Sequence, residues 1–162
     1  MLKMKRVEQL YIMEGAELRK NRIDTLLGPG MNIHCHPLNG RNFEYFFEDP
    51  FITGKIAAAQ LKGMHIYGVT GTIKHFAGNN QEYHCRQYNS IAFERALREI
   101  YLKGFEIAVK EGNTHSIMTT YGAINALWRA TNYDLLTVIL HGEWNYDGVV
   151  MTDWWADLNE EG

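Results

Sequence analysis

The 162-residue sequence contains only two cysteines and three prolines, and it has no surplus of positive charge. Cys35 and Cys85 lie far apart and form no CxxC pair, which excludes a disulfide framework and a four-thiolate zinc site. Two isolated thiols predict a reducing compartment, so the cytoplasm is the expected location. The formal net charge is −3, so there is no global basic field, and neither nucleic acid nor an anionic membrane is an expected partner. No stretch approaches the ~18 apolar residues of a membrane span. The opening MLKMKRVEQLYIMEGAEL breaks its apolar residues with charges and reads as a helix, not as a signal peptide. The alternative is a secreted parent protein whose signal lies upstream. No repeat, low-complexity segment or linker divides the chain, so residues 1–162 are read as one domain.

The sequence does contain a βα rhythm. At 46% hydrophobic and 22% charged, the chain can bury a sizeable core. Four short apolar or β-branched runs, at residues 25–33, 69–76, 116–121 and 149–154, read as buried parallel strands. Helical patterns alternate with them. Residues 55–67 form an amphipathic helix with Thr53 as the expected N-cap and a stop at Gly68. Residues 91–111 carry an apolar stripe from Phe93 to Ala108, with Glu94/Arg98, Glu99/Lys103 and Glu106/Lys110 four apart on the wet side and Gly112 as the expected terminator. A shorter helix over 133–141 is entered from Thr131 or Asn132, and the turn at 145–148 leads to the last strand.

Alternating units with right-handed crossovers build either part of a (β/α)8 barrel or a small open parallel sheet. A closed barrel takes about 250 residues. The expected fold class is therefore α/β, with four consecutive βα units of a (β/α)8 barrel, incomplete. In such folds the carboxyl ends of the strands form the active site. Those ends hold His34, His36 and Arg41, then Lys74 and His75, then Met118 and Tyr121, then Asp153, Trp154 and Trp155. Hydrogen-bonding side chains mixed with aromatic faces suit a carbohydrate.

Five segments, LLGPGMNIHCHPLNGRNFEYFFEDP, TIKHFAGNNQE, FERALREIYLKGFEIAVKEG, SIMTTYGAIN and GVVMTDWWA, together resemble family-three glycoside hydrolases of the β-glucosidase type. The similarity runs from about Glu14 to Ala156 in the family's order and spacing. The resemblance implies hydrolysis of terminal β-linked glucosyl residues, from a small β-glucoside or oligosaccharide, by a retaining mechanism. It implies that Asp153 is the nucleophile, that Lys74, His75 and Arg41 bind hydroxyls of the sugar, that Tyr121 approaches the nucleophile, and that Trp154 is an aromatic platform. Positive charge on Lys74 and Arg41 would favour the ionised form of Asp153. No cofactor or metal is implied, since two carboxyl groups and water suffice. The acid/base of this family comes from a separate domain C-terminal to the barrel, which is expected to be absent here, so no residue of this chain receives that role. A further sugar-binding aspartate of the family lies upstream of the matched region. Cys35, Phe93, Ala126, His141 and Asn145 depart from the family pattern, and Ala126 and Asn145 stand where glycine would turn more easily.

Plainer roles exist for the same residues. Asp153 could cap the segment after its strand, Lys74 could be solvated, and Arg41 could pair with Glu44 or Asp49. Trp154 and Trp155 are expected to differ, one packed inward and one facing the cleft. Two other readings compete with an active glycosidase. In one, the chain is a truncated, inactive piece whose open sheet edges drive assembly into a homo-oligomer that closes the barrel. In the other, His34 and His36, with Lys74, His115 and Asp153, form a metal centre of the amidohydrolase kind.

Overall fold

The computed structural model describes residues 4–156. A four-stranded parallel sheet has the order β1 (Thr25–Leu26), β2 (Thr70–Phe76), β4 (Ser116–Thr119), β7 (Val149–Met151). Burial follows this order: β2 and β4 are almost wholly buried, while β1 and β7 at the edges are partly exposed. Strands covered on both faces need apolar or small residues, and TGTI and SIMT meet that need, while Lys74 and His75 stand towards the carboxyl end of β2. Among the described residues the sheet does not close on itself. With its crossover helices it is a partial (β/α)8 barrel, and helices and strands alternate as the sequence predicts. β1 is shorter than expected. After Leu26 the chain leaves the ladder and returns for single contacts, with Met31 N–H donating to the Lys74 carbonyl at 2.6 Å. Gly28 and Pro29 in this stretch account for the break.

Helix α1 (Met4–Lys20) packs on α2 (Pro50–His65), and α2 packs on α4 (Lys103–Gly112). α2 starts five residues before the predicted helix. Its N-cap is Asp49, whose carboxylate accepts from Ile52 N at 2.8 Å, and Pro50 occupies the first turn, where its missing N–H costs nothing. Thr53 is inside the helix, buried, and its hydroxyl donates to the Phe47 carbonyl at 3.3 Å. The α2 backbone comes very close to both neighbours. A Cβ on Gly63 would sit 2.6 Å from the Glu8 carbonyl of α1, and one on Gly54 would sit 2.9 Å from the Gly104 carbonyl of α4.

Gly112 is the last residue of α4, and the left-handed cap after it is Asn113, at φ 53. A Cβ at 112 would lie 3.0 Å from the Ala58 Cα of α2 and 2.8 Å from Leu61 Cδ1, so this glycine serves close packing and not termination. The predicted 91–111 helix divides into α3 (Glu94–Ala96), a π-helical turn (Leu97–Tyr101) and α4. The π-type bond from Leu102 N to the Leu97 carbonyl, 2.8 Å, inserts the extra residue. Glu94–Arg98 and Glu106–Lys110 pair as expected, but Glu99 pairs with Arg95 and Lys103 with Glu106. The last helix, Asp134–Glu143, is also π-helical, and Asn132 caps it by accepting from Leu135 N at 2.9 Å. In the core, Phe76 meets Phe105 and Trp144 edge to face, with centroids 5.2 and 5.9 Å apart.

A second small sheet was not foreseen from the sequence. β3 (Asn89–Ser90) pairs in parallel with β5 (Ala123–Ile124), and β5 forms a hairpin with β6 (Leu127–Trp128). The two-residue hairpin loop has Asn125 at φ 49 and Ala126 at φ 68, the left-handed pair of a type I′ turn. Asparagine tolerates that region, whereas alanine pays roughly 1–2 kcal/mol. Asn145, at φ 56, is in the same region and is the easier case. We expect Ala126→Gly to stabilise the chain by about 1 kcal/mol, a rise of roughly 2–4 °C in thermal midpoint. Calorimetry on the two proteins checks this; an unchanged or lowered midpoint would show that the turn is not strained.

Candidate active site

The polar side chains gather at the carboxyl ends of the four parallel strands. Asp153 follows β7 and is buried. Its Oδ1 accepts from the Trp154 N–H at 2.7 Å, and its Oδ2 faces His75 Nε2 at 3.6 Å. His75, the second-last residue of β2, is 1% exposed, and Asn32 clasps its backbone in both directions: the Asn32 amide donates to the His75 carbonyl at 2.9 Å, and the His75 N–H donates to Asn32 Oδ1 at 2.8 Å. Because of this clasp, β2 can hold a buried polar residue near its carboxyl end without leaving that residue's backbone groups unpaired.

The imidazole of His75 is strongly perturbed. Burial, with the charges of Arg41 and Lys74 adding to it, pushes its pKa down to about 2. The ring is therefore neutral across the physiological range. Its second nitrogen, Nδ1, is 3.1 Å from the Tyr45 hydroxyl. Burial also raises the Tyr45 pKa, which keeps that hydroxyl protonated. Asn79 reaches the same hydroxyl at 3.4 Å and donates to Glu82 at 2.8 Å.

Lys74 and Arg41 direct their charge elsewhere than the sequence suggests. Lys74 Nζ lies 3.5 Å from Glu44, and Arg41 pairs with Glu44 and lies 3.9 Å from Glu82. The plainer role for Arg41, pairing with Glu44, is thus present. Among the described residues, the side chain facing Asp153 as an ion-pair partner is His75 and not one of these two cations. Tyr121 follows β4. Its hydroxyl donates to the Trp154 carbonyl and its ring stacks under Arg86, 5.1 Å from guanidinium carbon to centroid. Burial and the charge of Asp153 raise the Tyr121 pKa. The expected division of labour between the tryptophans is not seen: Trp154 and Trp155 are 63% and 64% exposed, with rings 6.1 Å apart. Both stand on the tight turn after β7, where Trp155 has φ 55, so neither reaches the core.

Asp153, His75 and Tyr121 are thus brought together, with Trp154 beside them, and Lys74 and Arg41 join through Glu44. A cleft of about 280 Å³ lined by His36, Asn39, Asn80, Glu82 and Tyr83 opens between the loops after β1 and β2. The metal reading loses its geometry. His34 bonds the Tyr45 carbonyl at 3.1 Å, His36 accepts from Leu38 N, and His115 stacks near His65 just ahead of β4, at the opposite strand end. Among the described residues no three histidine, cysteine, aspartate or glutamate side chains converge. Cys35 and Cys85 are free thiols. Also among the described residues, no helix is long and apolar enough to cross a membrane. Sequence reasoning missed Asn32, Tyr45, Asn79, Glu82 and Arg86. Tyr45 was visible as an aromatic four residues after Arg41, but nothing in its spacing shows that its hydroxyl meets a histidine thirty residues on.

Residues 1–160 match the family model described as the glycosyl hydrolase family 3 N terminal domain. A beta-glucosidase of Ruminococcus albus is 60% identical over 156 residues, covering 96% of this chain and 16% of that protein. The crystal structure of a beta-glucosidase from Paenibacillus barengoltzii superimposes with a TM-score of 0.92 at 61% identity, over 94% of this chain and 16% of that one. Beta-glucosidase 3B from Thermotoga neapolitana in complex with glucose superimposes with a TM-score of 0.91 at 45% identity, over 94% and 21%. The chain therefore spans about a sixth to a fifth of the length of these relatives.

The depressed His75 pKa has a consequence for stability. Between about pH 2 and the ordinary value of 6.5 the unfolded chain binds a proton at this site that the folded chain refuses, so stability falls as pH falls and the penalty vanishes above 6.5. From pH 6.5 to 4.5, His75 should cost the fold about 2 kcal/mol. Urea unfolding at both pH values, compared with a His75→Gln protein that lacks this titration, measures it. Equal pH slopes in the two proteins would refute the assignment.

Proposed function

Because this chain belongs to the N-terminal domain of glycosyl hydrolase family 3, we propose that it carries the glucosyl-binding and nucleophilic part of a β-glucosidase active site. In this reading, terminal β-linked glucosyl residues are removed with retention through a covalent intermediate on Asp153. The observation that supports it best is the placing of Asp153: a buried carboxylate at a strand end, one oxygen held by its neighbour's N–H and the other turned to a neutral imidazole. A retaining glycosidase needs such a carboxylate, ionised and aimed. Lys74, Arg41 and His75 supply donors for sugar hydroxyls, and Tyr121 stands beside the nucleophile. The exposed face of Trp154 suits the apolar side of a neighbouring sugar. Glucose bound to the Thermotoga relative makes a gluco-configured sugar the expected occupant.

The second carboxyl group is assigned to a segment other than those described. Glu44 and Glu82 are the nearby carboxylates of the loops, and both are committed to Arg41, Lys74 or Asn79. Leaving-group protonation would then come from a separate domain. An activated aryl β-glucoside hardly needs that acid, so it isolates the step assigned to Asp153. The chain should release aryl alcohol in a burst, and Asp153→Asn should lose it by at least about 10³-fold. A folded chain that releases nothing would confine the glycosidase assignment to ancestry.

The open sheet favours a second reading. Among the described residues both edge strands are unpaired on one side, and Val149 of β7 is 62% exposed. Unpaired edges with apolar side chains favour association. In this reading the isolated chain is inactive and assembles into a homo-oligomer through those edges. Sedimentation velocity should then show dimers or larger species that dissociate on dilution, whereas a monomer at every concentration would exclude it.

A further inference from the structure

The two nitrogens of His75 have different partners, and those partners decide where its single proton sits. A neutral imidazole has one N–H and one acceptor nitrogen, so its tautomer follows from whichever neighbour can only donate or only accept. Tyr45 could do either at His75 Nδ1. Its role is settled one step further out. Glu82 can only accept, so the Asn79 side chain must turn its NH2 group towards Glu82, at 2.8 Å. The same NH2 then faces the Tyr45 oxygen at 3.4 Å. That oxygen receives a hydrogen from Asn79, and among the described residues its own hydrogen has no acceptor in reach other than His75 Nδ1, 3.1 Å away. Nδ1 is the acceptor, the imidazole proton is on Nε2, and Nε2 is the atom 3.6 Å from Asp153 Oδ2.

We propose that Tyr45, oriented by Asn79 and Glu82, is a positioning residue that locks His75 in its Nε2–H tautomer, so that His75 presents a fixed donor to Asp153 and to whatever oxygen occupies the space between them. His75 then acts as a donor and not as a base. The lock acts on both ends of the residue, since Asn32 holds the backbone while Tyr45 holds the ring. Arg41 lies 3.9 Å from Glu82 at the outer end of the chain. The burial that holds His75 neutral and Tyr45 protonated removes the alternative in which either group ionises. The assignment of the tautomer stands on these contacts alone. The value of the donor to a glycosidase rests on the function proposed above.

The test reads the proton directly and needs no substrate. A two-bond proton–nitrogen correlation spectrum of the chain with labelled histidines, at pH 7, distinguishes the two tautomers and the imidazolium, and His75→Gln assigns the signal. His75 should appear as a single Nε2–H tautomer. In Tyr45→Phe the hydrogen-bond shift at Nδ1 should be lost and a second tautomer should appear. In Glu82→Gln, which leaves the buried core untouched, Asn79 is free to turn over and the same mixing should appear in part. An Nδ1–H tautomer or an imidazolium in the unmodified chain would overturn the proposal, and so would a pattern unchanged in both variants. If the tautomer is as assigned but aryl glucoside is not cleaved, the positioning stands and the enzymatic reading falls.

Discussion

One buried cation ties together the loops on which the site stands. Arg129 is fully buried, and among the described residues no carboxylate pairs with it. Its guanidinium donates to the carbonyls of Ala77 at 2.6 Å, Gly78 at 3.0 Å and Tyr121 at 2.9 Å, and to the Ser90 hydroxyl at 2.5 Å. Ala77 and Gly78 leave β2 immediately before Asn79, and Tyr121 leaves β4, so a single side chain fixes two neighbouring loops to each other. Burial draws the Arg129 pKa down to about 10, which is the cost of placing the charge there. The return is a planar fork that satisfies several orphan carbonyls at once, each bond to a charged group being worth roughly 1.5–3 kcal/mol. A lysine could not span these carbonyls, because its donors radiate from one point.

The helical side of the molecule answers a different constraint. α2 approaches α1 and α4 at backbone contact through Gly63 and Gly54, so these helices hold their spacing by glycine and not by interlocking large side chains. A layer packed this closely has few ways to shift, and it gives the sheet a firm back. The loops at the carboxyl ends of the strands contain the polar chain from Glu82 through Asn79 and Tyr45 to His75. Close helix packing and a satisfied hydrogen-bond chain in the loops are complementary means of keeping Asp153 and its neighbours in place.

Much of this was readable in the sequence, and the exceptions share a cause. The runs at Thr70–Phe76 and Ser116–Thr119 and the helices between them follow from local periodicity, and the βα alternation set the strand-end loops apart as the place to look. Boundaries failed where a cap competed with the pattern: Asp49-Pro50 outranked Thr53, and Asn113 outranked Gly112. The π-helical turns at Leu97–Tyr101 and Asp134–Glu143 were invisible, because one inserted residue barely disturbs an apolar stripe. In the site, Asp153, His75, Tyr121 and Trp154 were legible as polar or aromatic residues at strand ends. Tyr45, Asn79 and Arg129 were not, since each matters through a partner 30 or more residues away. Lys74 and Arg41 were found, but their shared partner Glu44 was not assigned to them as a pair.

The two oxygens of Asp153 are unequal, because Oδ1 accepts from the Trp154 N–H while Oδ2 faces His75 Nε2. An asparagine put in its place must turn its oxygen to that same N–H, which leaves the NH2 pointing at the imidazole. If Nε2 carries its proton, two donors then confront each other where a donor and an acceptor had met. The amide, commonly treated as the neutral twin of the carboxylate, would here invert the polarity of the cleft instead of muting it. Alanine, which leaves an empty space in place of a reversed dipole, would be the gentler way to remove the carboxyl group.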